Sequence, residues 1–350
     1  MSYKYYVYYL IELKVSKTLI LIIPVHFELY RLMVRSCKEL GYEVKLIFLT
    51  DSAFKYKNRG QRIKSFICKN LLGDKNYKKR LIYDTVNKEL QNSLLDIDQS
   101  IDFTLVIRPD LLSIDSIKLL KSKVKHIVAY QWDGLMRFPE VFKRIPYFDK
   151  FFVFDKSDSL KYKEQFNNLF YISNFYFPYP KQIGVNKSEK ELIFIGSYLK
   201  NRMPSILNLI RVLQEQNIKS DIYLHCTDKK ILDRYKDSGI KFLKKPLTYK
   251  QLLETENNYK AILDFDNSTI HQGVSFRVFE ALYLKKKLIT NNPLIKDYEF
   301  YNKANFFIWD DKNINEIVDF INQSYEDITP ELVEKYSFEA WLRVVLDHEN

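Results

Sequence analysis

Apolar residues in the first half of the chain come in short unbroken runs separated by helical spacing. Thr18 to Ile23 is a β-branched and leucine run closed by Pro24. A helical stripe follows from Glu28 to Leu40, Gly41 interrupts it, and Val44 to Leu49 is apolar again. Runs of this length without polar alternation predict strands buried on both faces, so the order reads β-α-β, the opening unit of a doubly wound parallel sheet. Further strands are predicted at Phe103 to Ile107, His126 to Tyr130 and Phe151 to Phe154, with helices at Tyr83 to Leu95 and Ser113 to Ser122.

The rhythm breaks at Phe177 to Glu191, where Pro178 and Pro180 lead into a polar stretch containing Gly184, Asn186 and Lys187, a composition suited to joining domains. It then restarts. Strands are predicted at Glu191 to Ile195, Asp221 to His225, Ala261 to Asp264 and Lys287 to Thr290, and helices at Pro204 to Gln216, Leu247 to Thr255, Val274 to Leu284 and Ile314 to Ser324. The fold class is therefore α/β, with two Rossmann-like domains facing across a cleft. Their expected bounds are 1–180 and 181–330, and a last helix over 331–350 is expected to pack back on the first domain.

Composition narrows the setting. At 350 residues, 46% hydrophobic and 28% charged, the chain can bury two cores and lacks the signature of disorder. Cys37, Cys68 and Cys226 show no metal-ligand or disulfide spacing, which fits a reducing compartment. No apolar run reaches the roughly 18 residues that span a bilayer, and Met1 to Leu13 lacks a secretory cleavage pattern. That stretch reads as an extra strand or as an extension upstream of the natural start. The expected place is the cytoplasm, at the inner face of the cell membrane. The net charge of +11 is unevenly spread: Lys55 to Arg80 holds ten basic residues against Asp74 alone, with Phe54, Tyr56, Phe66, Ile67, Leu71 and Leu72 interleaved. This mixture suits an anionic membrane surface or a lipid-linked acceptor, and equally a solvated basic face. No nucleic-acid motif accompanies it.

Chemistry concentrates in His271 to Thr290. A strand, a polar loop, Gly273, a helix beginning near Ser275 and a basic turn follow one another, so free helix amides would face the tips of the strands, where a diphosphate gains charge-assisted hydrogen bonds. Gly273 permits close backbone approach. Arg277, in the first turn, fits either a phosphate contact or a structural ion pair, and Glu280 follows on roughly the same face. A carboxylate there can accept two hydroxyl protons, as a ribose diol requires.

The run Gln272-Gly273-Val274-Ser275-Phe276-Arg277-Val278-Phe279-Glu280, with Lys287-Leu288-Ile289-Thr290 beyond it, resembles the donor-binding motif of GT-B glycosyltransferases, most of all a CgeB-like group of bacterial polysaccharide biosynthesis. The resemblance implies that Glu280 holds the ribose and that the helix start holds the pyrophosphate of a nucleotide-diphosphate sugar, with no other cofactor. Many retaining members carry a second glutamate where this chain has Gln272. Phe194-Ile195-Gly196-Ser197-Tyr198 and Arg202 resemble the Gly loop and basic residue that approach the diphosphate in the same family. Tyr336-Ser337-Phe338-Glu339-Ala340-Trp341 resembles its returning helix.

Glycosyl transfer also needs a base for the acceptor hydroxyl. Asp133, in Tyr130-Gln131-Trp132-Asp133-Gly134 just past a strand, is the first candidate, and that run too resembles one in polysaccharide transferases. His26 is second and Asp110 third. Metal independence is expected, with helix dipole, Arg202 and Arg277 supplying the positive charge. The function implied is transfer to a glycan or lipid-linked acceptor in capsule or lipopolysaccharide synthesis. Rivals are a nucleotide-sugar 2-epimerase, which would convert donor without acceptor, and a non-catalytic nucleotide-binding assembly module, which would bind donor without turnover.

Overall fold

A computed structural model describes residues 17–25, 28–50, 54–74, 76–97, 100–178, 190–265, 272–310 and 313–346. Twelve strands are found among them, in two parallel sheets of six. The first sheet contains β1 (Lys17–Pro24), β2 (Tyr42–Leu49), β3 (Ile101–Ile107), β4 (Val124–Gln131), β5 (Lys150–Val153) and β6 (Leu169–Tyr171), in the spatial order β2-β1-β3-β4-β5-β6. The second contains β7 (Lys190–Ser197), β8 (Ser220–His225), β9 (Ile240–Leu243), β10 (Tyr259–Asp264), β11 (Lys287–Thr290) and β12 (Phe306–Ile308), in the order β12-β11-β10-β7-β8-β9.

The unbroken apolar runs have a direct structural reason. In β1 the side chains of Leu19, Leu21 and Ile23 enter one core and those of Ile20 and Ile22 enter another on the opposite face, so all five of these positions are buried. β7 does the same, sending Leu192 and Phe194 one way and Ile193 and Ile195 the other. Helices cover these faces. Gly41, at φ 89°, ends the helix Leu29–Glu39 in a backbone conformation that glycine adopts without a Cβ penalty, and its amide donates to the Lys38 carbonyl.

Three strands escaped the sequence reading: β6, β9 and β12 are edge or near-edge strands of three or four residues, too short to show a period. The helix expected at Tyr83 begins six residues earlier, at Tyr77, because Lys78, Lys79 and Arg80 are straight-chain helix formers that hydrophobic spacing does not register. The late helix is shorter than expected, Ile317–Asn322, preceded by a 3₁₀ turn.

Backbone hydrogen bonds and a returning helix tie the two lobes together. The expected bound at 180/181 falls outside the described residues; just before it, the Tyr176 amide donates to the Tyr336 carbonyl and the Phe338 amide to the Tyr176 carbonyl. The helix Phe338–Leu346 then lays Phe338, Trp341, Leu342, Val345 and Leu346, an i, i+3, i+4, i+7, i+8 stripe, into the core beneath the first sheet. Trp341 meets Tyr130 of β4 edge-on, with ring centroids 4.9 Å apart.

Candidate functional site

Strand order in the second sheet reverses between β10 and β7, and in open α/β sheets ligands bind at the carboxyl ends of the strands flanking such a switch. Asp264 is the last residue of β10 and is buried there. Its Oδ1 accepts from Ser275 Oγ and from Arg277 Nη1, each at 3.0 Å, and its Oδ2 accepts from Thr290 Oγ1 at 3.1 Å. One carboxylate thus ties the strand end to the start of the helix Phe276–Tyr283 and to β11. Arg277 completes the knot from the other side: Nη2 donates to the Ile195 carbonyl of β7 at 2.6 Å, and the guanidinium lies over the Phe194 ring. Both terminal nitrogens are therefore engaged inside the protein, across the switch point.

Glu280 lies one turn further along the helix, 4% exposed. The Tyr249 hydroxyl lies beside the Glu280 carboxylate and accepts the Phe177 amide at 3.3 Å. Beside them is Glu256, 0% exposed, with neither carboxylate oxygen hydrogen-bonded and Oε1 3.9 Å from Arg277 Nε. Desolvation pushes both carboxyls up. Glu280 rises to about 7 even though Arg277 and Tyr249 oppose the shift. Glu256 rises well above the carboxylate range, with the Glu280 charge adding to the effect of burial. One guanidinium does not offset the burial of both glutamates, so protons are retained on this pair.

The start of the helix faces the first lobe. Ser275 is its N-cap but spends its hydroxyl on Asp264, so no side chain caps the first turn. The Gln272 amide donates to Asp155 Oδ2 of the first lobe at 2.7 Å, while Asp155 Oδ1 accepts from the Ser157 amide at the start of the helix Lys156–Tyr162. Asn174 bridges the lobes as well: its Oδ1 accepts from Tyr130 Oη and its Nδ2 donates to the Val274 carbonyl at 3.0 Å. Next to these contacts an interlobe cavity of about 600 Å³ is lined by Asp155, Tyr171, Gln272, Gly273, Tyr298 and Lys335, among others.

Gly273 has a reason the sequence did not show. A Cβ at this position would sit 2.5 Å from Phe154 Cδ2 and 2.8 Å from the Phe154 carbonyl oxygen, so the close approach the glycine permits is between lobes. Gly273→Ala is expected to force them apart at a cost of about 1–3 kcal/mol, the usual range for overpacking. Thermal unfolding measures this, and a variant as stable as the parent would show that the contact yields freely.

Of the other residues singled out from sequence, Gly196 and Ser197 end β7 directly after Ile195, and Arg202 stands at the start of the helix Met203–Glu215. Asp133 follows β4 in the first lobe, where Oδ2 is 3.1 Å from Arg108 Nη1 and Oδ1 is 2.5 Å from Arg137 Nη1. Asp110 is held by two nitrogens of the same Arg108, at 2.6 and 2.7 Å. His26 lies outside the described residues. Among the described residues, no group of three or more His, Cys, Asp or Glu side chains is placed to hold a metal ion.

Glu256, Tyr249 and Asp155 were missed, and Asp264 was read only as the end of a strand. A signal existed for two of them: Tyr249, Leu253 and Glu256 fall at i, i+4 and i+7 of the helix Tyr249–Glu256, which puts the glutamate on the buried face.

The sequence matches no protein-family model and no curated protein. Solved structures do resemble it. The apo form of the lipopolysaccharide outer core galactosyltransferase WaaB aligns over 94% of this chain and 99% of its own, with a TM-score of 0.51 at 13% identity. The two sheets, the cleft and the returning helix are those of that architecture. The fold is GT-B. A glycosyltransferase from Rickettsia africae ESF-5 gives the same TM-score, 0.51, over 94% of this chain and 96% of its own at 10% identity. The pneumococcal O-GlcNAc transferase GtfA, solved with UDP and GlcNAc, gives 0.51 at 13% identity over 74% of this chain, which spans only 59% of that larger GT-B protein.

Proposed function

We propose that this GT-B protein is a glycosyltransferase that moves a sugar from a nucleotide-activated donor to a glycan or lipid-linked acceptor in bacterial surface polysaccharide synthesis. The observation that carries the reading is the helix Phe276–Tyr283: its start, uncapped by any side chain, stands at the switch point of the second sheet and faces the other lobe. Such a start attracts a diphosphate through its amides and dipole. Arg277 adds positive field from within while its nitrogens hold the strand ends, and Gly196, Ser197 and Arg202 flank the same edge. In this reading the diphosphate is stabilised by these groups without a divalent ion. Glu280 takes the ribose. In this reading the ribose hydroxyls donate to its carboxylate.

In the transfer, the acceptor oxygen bonds to the anomeric carbon, the bond from that carbon to the diphosphate breaks, and the acceptor proton passes to a base on the first lobe. Asp133 is the residue proposed for this, with His26 as the alternative. Asp133→Asn is expected to lower turnover by about 10²-fold or more while donor affinity stays unchanged, as measured by steady-state kinetics and calorimetry. Full turnover in the variant moves the base elsewhere.

Glu280→Ala is expected to weaken nucleoside-diphosphate binding by about 1.5–3 kcal/mol, the range for a hydrogen bond to a charged group. A thermal-shift screen over UDP, GDP and CDP identifies the nucleotide, because a ligand of the folded state raises its apparent stability. Equal shifts in parent and variant would refute the assignment.

One observation favours a second reading, a nucleotide-binding module without turnover: both carboxylate oxygens of Asp133 already face guanidinium partners. Incubation with radiolabelled donor and an acceptor panel separates the two. Among the described residues no helix is long and apolar enough to cross a membrane. In the proposed setting the chain works at the inner face of the cell membrane, with the segment Lys55 to Arg80 turned toward it.

A further inference from the structure

The helix Arg59–Asn70 is packed the wrong way round for a helix of a protein core. It buries Ser65 and Cys68 against the domain and turns Ile63, Phe66 and Ile67 outward. Leu71 and Leu72 continue the exposed face beyond its end, at 76% and 71% exposure, with Ile63 at 58% and Phe66 at 66%. At about 100° per residue, Ile63, Phe66 and Ile67 share one side and Ser65 and Cys68 the opposite one. Lys64 falls on one flank between these sides, Arg62 and Lys69 on the other, all three exposed. The fixed point on the inner side is polar as well, since Tyr56 Oη donates to Ser65 Oγ at 3.2 Å. Directly after comes the helix Tyr77–Leu95, whose first turn exposes Lys78, Lys79 and Arg80.

A contiguous apolar face with cationic flanks asks for a partner that is apolar within and anionic at its surface. We propose that the helix Arg59–Asn70 and the turn Leu71–Leu72 insert into an anionic phospholipid bilayer, apolar side chains at the acyl boundary and lysines and arginines among the headgroups. This deepens the membrane-facing reading given above and rests on it. A second copy of the chain fits the face less well, because two such basic segments would repel each other. A nucleic acid would satisfy the cations and leave the outward Phe66, Leu71 and Leu72 without a role. The position matters for function. The helix follows the carboxyl end of β2, on the strand edge that faces the cleft, so insertion would bring the cleft near the headgroup layer.

The test uses the full chain and vesicles of phosphatidylcholine, alone or mixed with phosphatidylglycerol. Co-sedimentation is expected with the mixed vesicles and to persist in part at about 0.5 M salt, where charge attraction reaches only a few Å. The triple variant Phe66→Ser, Leu71→Ser, Leu72→Ser is expected to lower the partition coefficient on the order of hundredfold, and Lys78→Gln with Lys79→Gln on the order of tenfold. In a Phe66→Trp variant, the added emission should be quenched by lipids brominated in the acyl chain. The proposal is overturned if the triple variant partitions like the parent, or if the new indole escapes quenching. It is equally overturned if the face instead drives a lipid-free dimer that the same variant dissolves. Thermal shifts with a nucleoside diphosphate, run on the parent and on each variant, keep the two questions apart. Failure of the donor reading removes the shift from the parent itself, whereas failure of insertion leaves it in place.

Discussion

Arg277→Leu is expected to destabilise the second domain by about 3–5 kcal/mol, the cost of removing one partner from a buried ion pair. Among the described residues the guanidinium is the only cation found among Asp264, Glu256 and Glu280, all nearly inaccessible to water. Without it, Asp264 loses its Nη1 partner and the Ile195 carbonyl loses its donor, so β7 and β10 lose the side chain that joins their ends. Glu256 and Glu280 can respond only by holding protons, and so the loss should deepen as pH rises. For a domain of this size the shift corresponds to roughly 10 °C or more in Tm. Arg277→Lys should recover only part of it, because a single ammonium cannot reach Asp264, Glu256 and the carbonyl at once. Calorimetric unfolding of parent and variants measures the effect. If Arg277→Leu melted like the parent yet failed to bind nucleotide, the guanidinium would be a ligand contact and not a structural tie.

This tie shows how far the sequence could be read. The strand runs were legible because burial on both faces removes polar alternation, as in β1 and β7, whereas β6, β9 and β12 carry too few residues for any pattern. The unit from β10 to β11 was legible for a different reason: a glycine, a helix start and a carboxylate in fixed order imply a ligand geometry. What the order could not reveal was which partner each group would choose. Arg277 could turn to phosphate or to protein, and the choice depends on Asp264 and the Ile195 carbonyl, 13 and 82 residues away along the chain. Gly273 was read as making room for a ligand, and the room is filled by Phe154 of the other lobe. Long-range packing of this kind leaves no local signature. The outward face of Arg59–Asn70 was half legible: the sequence showed apolar and basic residues mixed, and only the burial of Ser65 and Cys68 shows which side is free.

Glu280→Gln should make the protein more stable at neutral pH and weaker as a nucleotide binder. Burial lifts the Glu280 carboxyl from 4.5 to about 7, so between these values the native state holds a proton that the unfolded chain has already released. Stability then falls as pH rises through this window, by about 3 kcal/mol in all, and levels off above about pH 7. The amide is neutral throughout, so its variant should match the parent near pH 4 and exceed it by about that amount at pH 8. Glu256 sharpens the contrast. The Glu280 charge helps to keep the Glu256 proton on, and removing that charge relieves a second strained carboxyl in the same cavity. Ligand binding should run the other way. A ribose diol donates to an ionised carboxylate, so nucleotide affinity in the parent should climb as pH passes about 7, while in the variant it should be low and flat. Urea midpoints and calorimetric titrations between pH 5 and 8, taken roughly one unit apart, measure both trends. Parallel stability profiles would mean that Glu280 keeps its ordinary proton affinity when folded. Unchanged affinity beside increased stability would mean that the carboxyl serves no ligand, and the ribose site would have to be sought among other residues of the cleft.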